Sequence, residues 1–354
     1  MTETHADFAV LGATPQARLV AGLLASVHGK SVVFQGESQS GYRLPRGIDL
    51  SVGAITRPET WALLKASLPE TLKLVSRIGK RGAWSRLDPI FFADAPDGKE
   101  ALVHTRHMAA AFGFAAESVP ASLLGNGREG LVLRDAVLLR RQALEPALDR
   151  WLDQVKVRRL GADDTIVVRA DASAECIVAD TRITIGQTIL ADDNAIMAHL
   201  HTALWPALLA RQVASTILTE PTDAIAAPVM HRLDSGLVLT QQAERGIIAF
   251  GPGTVGEFAA SLGEILGRQR AVRQAGQSSY ARIFTNDGAP AVGRAGGTGP
   301  DVLAGFGSIG AFLAPAIARW LCGVASATEN AWFGARLVDR RAETSLVGDV
   351  GEQR

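Results

Sequence analysis

Residues Asp7–Leu11 (DFAVL) form a short apolar run that passes at once into GATPQA and then into an apolar periodic stretch ending near Val27. Thr14 suits an N-cap, and Pro15 suits the first helical position, where a missing N–H costs nothing. A second β-branched run, Ser31–Phe34 (SVVF), follows the helix and completes a βαβ unit. That order constrains the chain more than any other feature. The 354 residues, 47% of them hydrophobic, are enough for two domains sharing buried surface. With 36 basic and 36 acidic side chains there is no positive excess for general nucleic-acid binding.

Two cysteines, Cys176 and Cys322, rule out a disulfide framework, fit a reducing compartment and read as buried, inert thiols. Met1–Asp7 is polar, so no secretory signal is expected, and a cytoplasmic location follows. The nearly charge-free stretch Leu303–Ala327 is long enough to imitate a membrane span. Its glycines, Pro315 and Arg319 make it read as strand, glycine loop and buried helix instead.

Trp61, Leu64, Leu68, Leu72, Val75 and Ile78 recur at helical spacing, predicting a long amphipathic helix. A further helix is expected over Leu138–Leu152, then strands over Thr165–Arg169, Glu175–Val178 and Arg182–Ile185. His231–Leu233 and Leu237–Thr240 flank Asp234-Ser235-Gly236, a hairpin signal. Val255–Arg270 reads as helix, Tyr280–Thr285 as strand, and the polar tail from Arg340 is expected to fray. No composition shift marks a linker, which predicts one cofactor domain interrupted by a smaller β-rich domain.

GATPQA lies where a dinucleotide fingerprint would lie. There the first glycine makes the tight turn, the second admits a pyrophosphate to bare backbone, and the third lets helix pack on strand. Gly12 meets the first requirement and Ala17 the third, but Thr14 puts a β-branched side chain at the second. The helix N-terminus still offers unpaired N–H groups and a positive dipole end. These residues read either as a dinucleotide seat or as an ordinary βα turn. Gln35 stands where a ribose-binding acid is expected, with Glu37 two residues on; glutamine hydrogen-bonds without bringing charge. Near the C-terminus, Arg282–Gly293 (RIFTNDGAPAVG) precedes Gly305–Ala318 (GFGSIGAFLAPAIA). A glycine loop before a long apolar helix seats an aromatic cofactor ring on backbone N–H groups and a helix dipole.

In order and spacing, GATPQA, SVVFQ, TRITIG, RIFTNDGAPAVG and GFGSIGAFLAPAIA resemble the flavin-dependent D-amino acid oxidase superfamily, most of all its glycine oxidase and sarcosine oxidase-like enzymes, over nearly the whole chain. The resemblance implies an α/β fold: a Rossmann-like FAD-binding domain with an inserted antiparallel β-sheet substrate domain. Residues 1–80, 131–200 and 286–345 would build the former, 81–130 and 201–285 the latter, and 346–354 a tail. It further implies that Gly12, Thr14 and Ala17 face the FAD pyrophosphate, Gln35 the ribose, and Gly186 the passing dinucleotide. Phe306, Gly307, Ser308, Ile309, Gly310 and Ala311 would hold the flavin ring. Arg282 would clamp a substrate carboxylate, a task for which a planar guanidinium fork is suited.

The implied activity is FAD-dependent oxidation of a C–N bond in an amino acid or small amine by hydride transfer to the flavin. Thr14 and Gln35 depart from the pattern and raise a second reading, a noncatalytic, flavin-poor subunit of a larger oxidoreductase assembly. The expected partner is a small amine or amino acid, with neither nucleic acid nor a membrane span, in a homo-oligomer or as one chain of a hetero-oligomer. No metal is expected, since His104 with His107 and His199 with His201 lack a completing ligand set. Asp163-Asp164 and Asp192-Asp193 read as turn markers, Arg140-Arg141 and Arg158-Arg159 as solvated doublets. Tyr280, Phe284 and Trp332 read as core aromatics, with a pocket wall as the alternative.

Overall fold

A computed structural model describes residues 2–37, 43–125, 127–161, 163–178, 180–267, 270, 272–342, 348 and 349. The first half runs β1 (Thr2–Leu11), α1 (Pro15–Ser26), β2 (Val32–Gln35), α2 (Pro58–Gly79), β3 (Trp84–Leu87), β4 (Ile90–Ala93), α3 (Pro96–Ala111), β5 (Ala116–Val119), α4 (Ala121–Leu124), β6 (Glu129–Leu133) and β7 (Ala136–Leu139). Then come α5 (Arg141–Gln154), β8 (Arg158–Arg159), β9 (Ile166–Val168), β10 (Ala174–Val178), β11 (Thr181–Leu190), α6 (Asp193–His199), β12 (Leu209–Thr219), β13 (Val229–Arg232) and β14 (Leu237–Gln241). The chain closes with β15 (Ile247–Pro252), α7 (Val255–Leu266), β16 (Gln274–Thr285), β17 (Ala291–Arg294), β18 (Asp301–Ala304), α8 (Gly310–Leu321) and α9 (Ala327–Gly334).

The N-terminal βαβ unit nucleates the first sheet, ordered β17-β18-β11-β1-β2-β8, with the β9–β10 hairpin laid against β11. β1 is parallel to both β2 and β11, and Leu11 is level with Gln35 on one side and Leu190 on the other. The carboxyl ends of these three strands therefore finish together, which puts Gly12, Gly36 and Ala191 on one edge. In an open parallel sheet, that edge is where ligands bind. The second sheet, β16-β12-β15-β14-β13-β4-β6-β5, is antiparallel except for the parallel β13–β4 pair. The fold is thus α/β with a Rossmann-like sheet and a largely antiparallel one. Among the described residues no helix is long and apolar enough to cross a membrane.

α1 is buried from Pro15 to Leu24 because it is enclosed by β2, α5 and α8. Leu19, Val20 and Leu24 meet α8's Phe312, Leu313 and Ile317 in one core, and each such side chain stabilises by about 1.5–3 kcal/mol. The helices close up because Gly22 carries no side chain: a Cβ there would lie 2.1 Å from Cζ3 of Trp151 on α5.

Thr14 caps α1, accepting from the Ala17 N–H at 3.2 Å, and Pro15 opens it, as the sequence predicts. The 61–78 helix, the 231–240 hairpin with Gly236 at φ 61°, and the strand-loop-helix reading of 303–327 also appear. Four expectations change. Leu138 and Leu139 finish β7, held by pairing with Ser85 and Trp84 of β3, so the helix starts only at Arg141. α7 stops at Leu266, where Gly267 takes φ 82°. Cys322 is only partly buried, whereas Cys176 is buried as expected. The tail does not fray where it is described. Arg340 pairs with Asp287 at 2.8 Å, and Asp349 is buried against Arg336 at 2.6 Å; apart from Gly348 and Asp349, 346–354 lies outside the described residues.

On the first sheet, Arg294 of β17 donates to the Gln187 amide oxygen at 2.6 Å, and Gln187 donates to Asp301 of β18 at 2.8 Å. Burial pushes the Asp301 carboxyl up to about 6, outweighing the hydrogen bond from Gln187 and the charge of Arg294. Below about pH 4 the carboxyl is protonated in both states. Between about 4 and 6 the folded state alone keeps the proton, so stability falls as pH rises through that window, by on the order of 3 kcal/mol. Asp301→Asn is expected to flatten the dependence of Tm on pH between 4 and 7, as followed by circular dichroism. Gly22→Ala is expected to destabilise by about 1–2 kcal/mol in urea unfolding, because overpacking against Trp151, at about 2–3 kcal/mol, exceeds the gain of about 1 kcal/mol in helix propensity.

Candidate ligand-binding site

The edge where β1, β2 and β11 end faces the second sheet across a cavity of about 1370 Å³. Its walls come from the βα turn (Ala13, Thr14, Gln16), the 43–53 segment, the start of α5, the end of β11, strands β12–β16 and the 303–308 loop. Of the expected site residues, Thr14, Arg282, Phe306, Gly307 and Ser308 line it, and the two ends of the site differ sharply.

At the α1 end two of the backbone donors, the Ala13 and Ala17 N–H groups, are already engaged. Ala13 N–H donates to Asp192 Oδ2 at 2.5 Å, and the other oxygen of that carboxylate accepts from Ala195 N–H at 2.9 Å, capping α6. A Cβ on Gly12, whose φ is 151°, would meet Asp192 Oδ2 at 3.1 Å, so the carboxylate packs against the bare glycine. Burial pushes the Asp192 pKa up against the Ala195 and Ala13 N–H groups and the Arg18 charge. The Thr14 hydroxyl turns back into its own helix cap and is not what fills the seat.

The end of β2 is tied to the same turn. Fully buried Arg18 on α1 donates to the carbonyls of Ala13 and Gly36, bridging the β1 turn to the end of β2, and pairs with Asp149 at 2.7 Å. Its guanidinium lies over the Phe34 ring at 5.5 Å. Gly36 is packed so tightly that a Cβ would lie 1.9 Å from the Gly12 carbonyl oxygen. Gln35 faces away from the cavity and donates to the Asp164 carbonyl at 2.8 Å. Gly12, Ala17 and Gln35 are absent from the cavity wall. Gly186 lies mid-strand in β11 beside the Asp7 carbonyl, away from the cavity, because the close approach to the turn is made six residues later by Asp192.

The opposite end is open. Gly305 at φ 70° and Gly307 at φ 52° shape a loop whose residues Gly305, Phe306, Gly307 and Ser308 face the cavity. Ile309, Gly310 and Ala311 stand behind it as the start of α8. Leu50 N–H donates to the Ser308 carbonyl at 2.9 Å and the Ser308 hydroxyl to the Val52 carbonyl at 3.2 Å, tying the 48–53 segment across the loop. The Gln16 amide is wedged against Gly310, where a Cβ would lie 1.9 Å from its Oε1. Among the described residues its buried Nε2 has no protein partner, so it can donate to a ligand at the N-terminal turns of α1 and α8.

Across the cavity, β16 contributes Tyr280 and Arg282. Tyr280 stacks under the Arg46 guanidinium at 4.8 Å, and burial pushes its hydroxyl pKa up. Arg141 lines the wall, contrary to the solvated reading, and pairs with buried Asp49 at 2.6 Å. Burial opposes the Arg141 charge, but Asp49 outweighs it and the guanidinium pKa is raised. Phe284 is not part of the cavity wall, and Trp332 is core, set edge-on to Phe333.

The sequence reading missed three residues: Asp192, Arg18 and Asp49. Asp192 had a signal, a carboxylate directly after the long β-branched strand that ends at the ligand edge. Arg18 had one too, a charge inside an otherwise apolar helix.

Set against FAD, the residues fit at one end only. The loop 305–308 and the open Gln16 donor suit a planar ring with acceptors. The diphosphate seat holds Asp192, and the ribose acid is a glutamine turned elsewhere. FAD bound as a dinucleotide does not fit this arrangement.

The sequence matches no protein-family model and no curated protein. The fold has clear parallels among solved structures. L-proline dehydrogenase from P. horikoshii superposes with a TM-score of 0.72 at 15% identity, over 94% of this chain and 97% of that one. NikD, an unusual amino acid oxidase essential for nikkomycin biosynthesis, gives 0.74 at 12% identity, over 97% and 100%. Glycine oxidase from Geobacillus kaustophilus gives 0.71 at 13% identity, over 96% and 100%. The chain has the fold of these amino-acid oxidases and dehydrogenases along essentially its whole length.

Proposed function

We propose that this chain has kept the amino-acid oxidase fold and its inter-sheet cavity while losing the dinucleotide seat, and that it serves as a noncatalytic, flavin-poor subunit of an oxidoreductase assembly. The observation that carries this reading is the Asp192 carboxylate on the Ala13 N–H, where a diphosphate would have to bind. A helix N-terminus attracts anions, and here the chain supplies its own. The cavity remains suited to a small amine or amino acid. Arg282 on its wall can receive a carboxylate, and the Gln16 amide offers a further donor. Its neighbours of like fold are named for reactions on amino acids, which supports a ligand of that class.

A second reading, FAD-dependent oxidation of a C–N bond, is favoured by one observation: the cavity-facing loop 305–308 ahead of α8, shaped as a flavin ring would need it. In that case Arg282 would orient the substrate carboxylate.

The two readings part on the visible absorption spectrum of the purified protein, taken directly and after incubation with FAD followed by gel filtration. A colourless protein in both samples is expected. Flavin bands near one equivalent per chain would overturn the flavin-poor reading and leave amine oxidation standing.

A further inference from the structure

The position of Asp192 follows from sheet register. Leu190 is level with Leu11, and the Ala191 N–H donates to the Leu11 carbonyl at 2.8 Å, locking the end of β11 beside the start of the GATPQA turn. The next residue therefore projects its side chain from a backbone fixed against Gly12. A residue without a side chain there would leave the Gly12 surface and the Ala13 N–H open to the cavity. Aspartate instead spans the gap, one oxygen on Ala13 and the other on Ala195.

We infer that Asp192 acts as a built-in anion that holds the diphosphate seat of this fold shut against phosphate-bearing dinucleotides. The reasoning is competitive. A phosphate must displace a carboxylate tethered in place, and a tethered group competes at the high effective concentration of an intramolecular contact. The incoming phosphate would also meet a like charge or, with the carboxyl protonated, a filled volume. Thr14, the residue whose bulk first suggests an impaired seat, spends its hydroxyl on the Ala17 N–H in the α1 cap and leaves the Ala13 N–H to Asp192. The inference deepens the flavin-poor reading by naming the residue responsible.

The test titrates FAD into the wild type, Asp192→Gly, Asp192→Ser and Thr14→Gly, with bound flavin measured by equilibrium dialysis and folding checked by circular dichroism. Asp192→Gly is expected to bind FAD at least ~10-fold more tightly than the wild type, since freeing the seat returns charge-assisted N–H donors to the phosphates. Asp192→Ser, whose hydroxyl can still cap α6, is expected to gain as well, so a folding defect in the glycine variant does not decide the matter. Thr14→Gly, which leaves the Asp192 carboxylate in place, is expected to gain less than either Asp192 variant. Folded Asp192 variants that bind FAD no better than the wild type, or a gain confined to Thr14→Gly, would overturn the assignment to Asp192 while leaving the flavin-poor reading intact. A wild type that itself holds about one equivalent of FAD would overturn both.

Discussion

The hydrogen bond from Ala13 N–H to the Asp192 carboxylate joins the elements on which this site is built. Asp192 follows β11, caps α6 and touches the turn between β1 and α1. Orphan N–H groups at a helix start must be satisfied by some acceptor. Here the Thr14 hydroxyl takes the Ala17 N–H in the first turn of α1, and Asp192 takes the Ala13 N–H just ahead of the helix. Arg18 continues the closure from beneath by drawing the Ala13 and Gly36 carbonyls together. A charge buried this deeply persists only when paired and hydrogen-bonded, and Asp149 with the two carbonyls meets that requirement.

The same packing explains why the fold survives so extensive a change at one end of its cavity. The contacts that hold α1 are with α5 and α8, through Gly22 against Trp151 and the Leu19, Val20 and Leu24 face. None of them needs a bound dinucleotide. At the other end, the 305–308 loop is fixed by Leu50 and Ser308 rather than by a ring, leaving the cavity preformed. Fold is set by the core and function by the site, so the two can part.

Much of the architecture was legible in the chain. The Thr14-Pro15 helix start, the 61–78 periodicity and the strand-loop-helix order of 303–327 are local signals, and local physics decided them. The start of α5 was misjudged because Leu138 and Leu139 have helical spacing but are claimed by the distant strand β3. The site was half legible. The loop residues Phe306, Gly307 and Ser308 and the β16 residue Arg282 line the cavity. Asp192 shows in the sequence only as a carboxylate after a β-branched strand, and what makes it decisive is the register between β1 and β11, strands far apart in sequence. Gly186 was a natural choice for a glycine near the turn, yet it sits within the strand and the register carries Asp192 to that place instead. Arg340 and Asp349 look like tail residues, and only Asp287 and Arg336 show why they are held.

The central claim is that the chain's own carboxylate occupies the seat a dinucleotide phosphate would take. Residue-resolved hydrogen exchange at the Ala13 amide, with and without millimolar FAD, tests it most directly. The account predicts an amide protected in the free protein to the level of the first turns of α1 and unchanged by FAD. An Ala13 amide that exchanges freely and becomes protected only when FAD is added would contradict it.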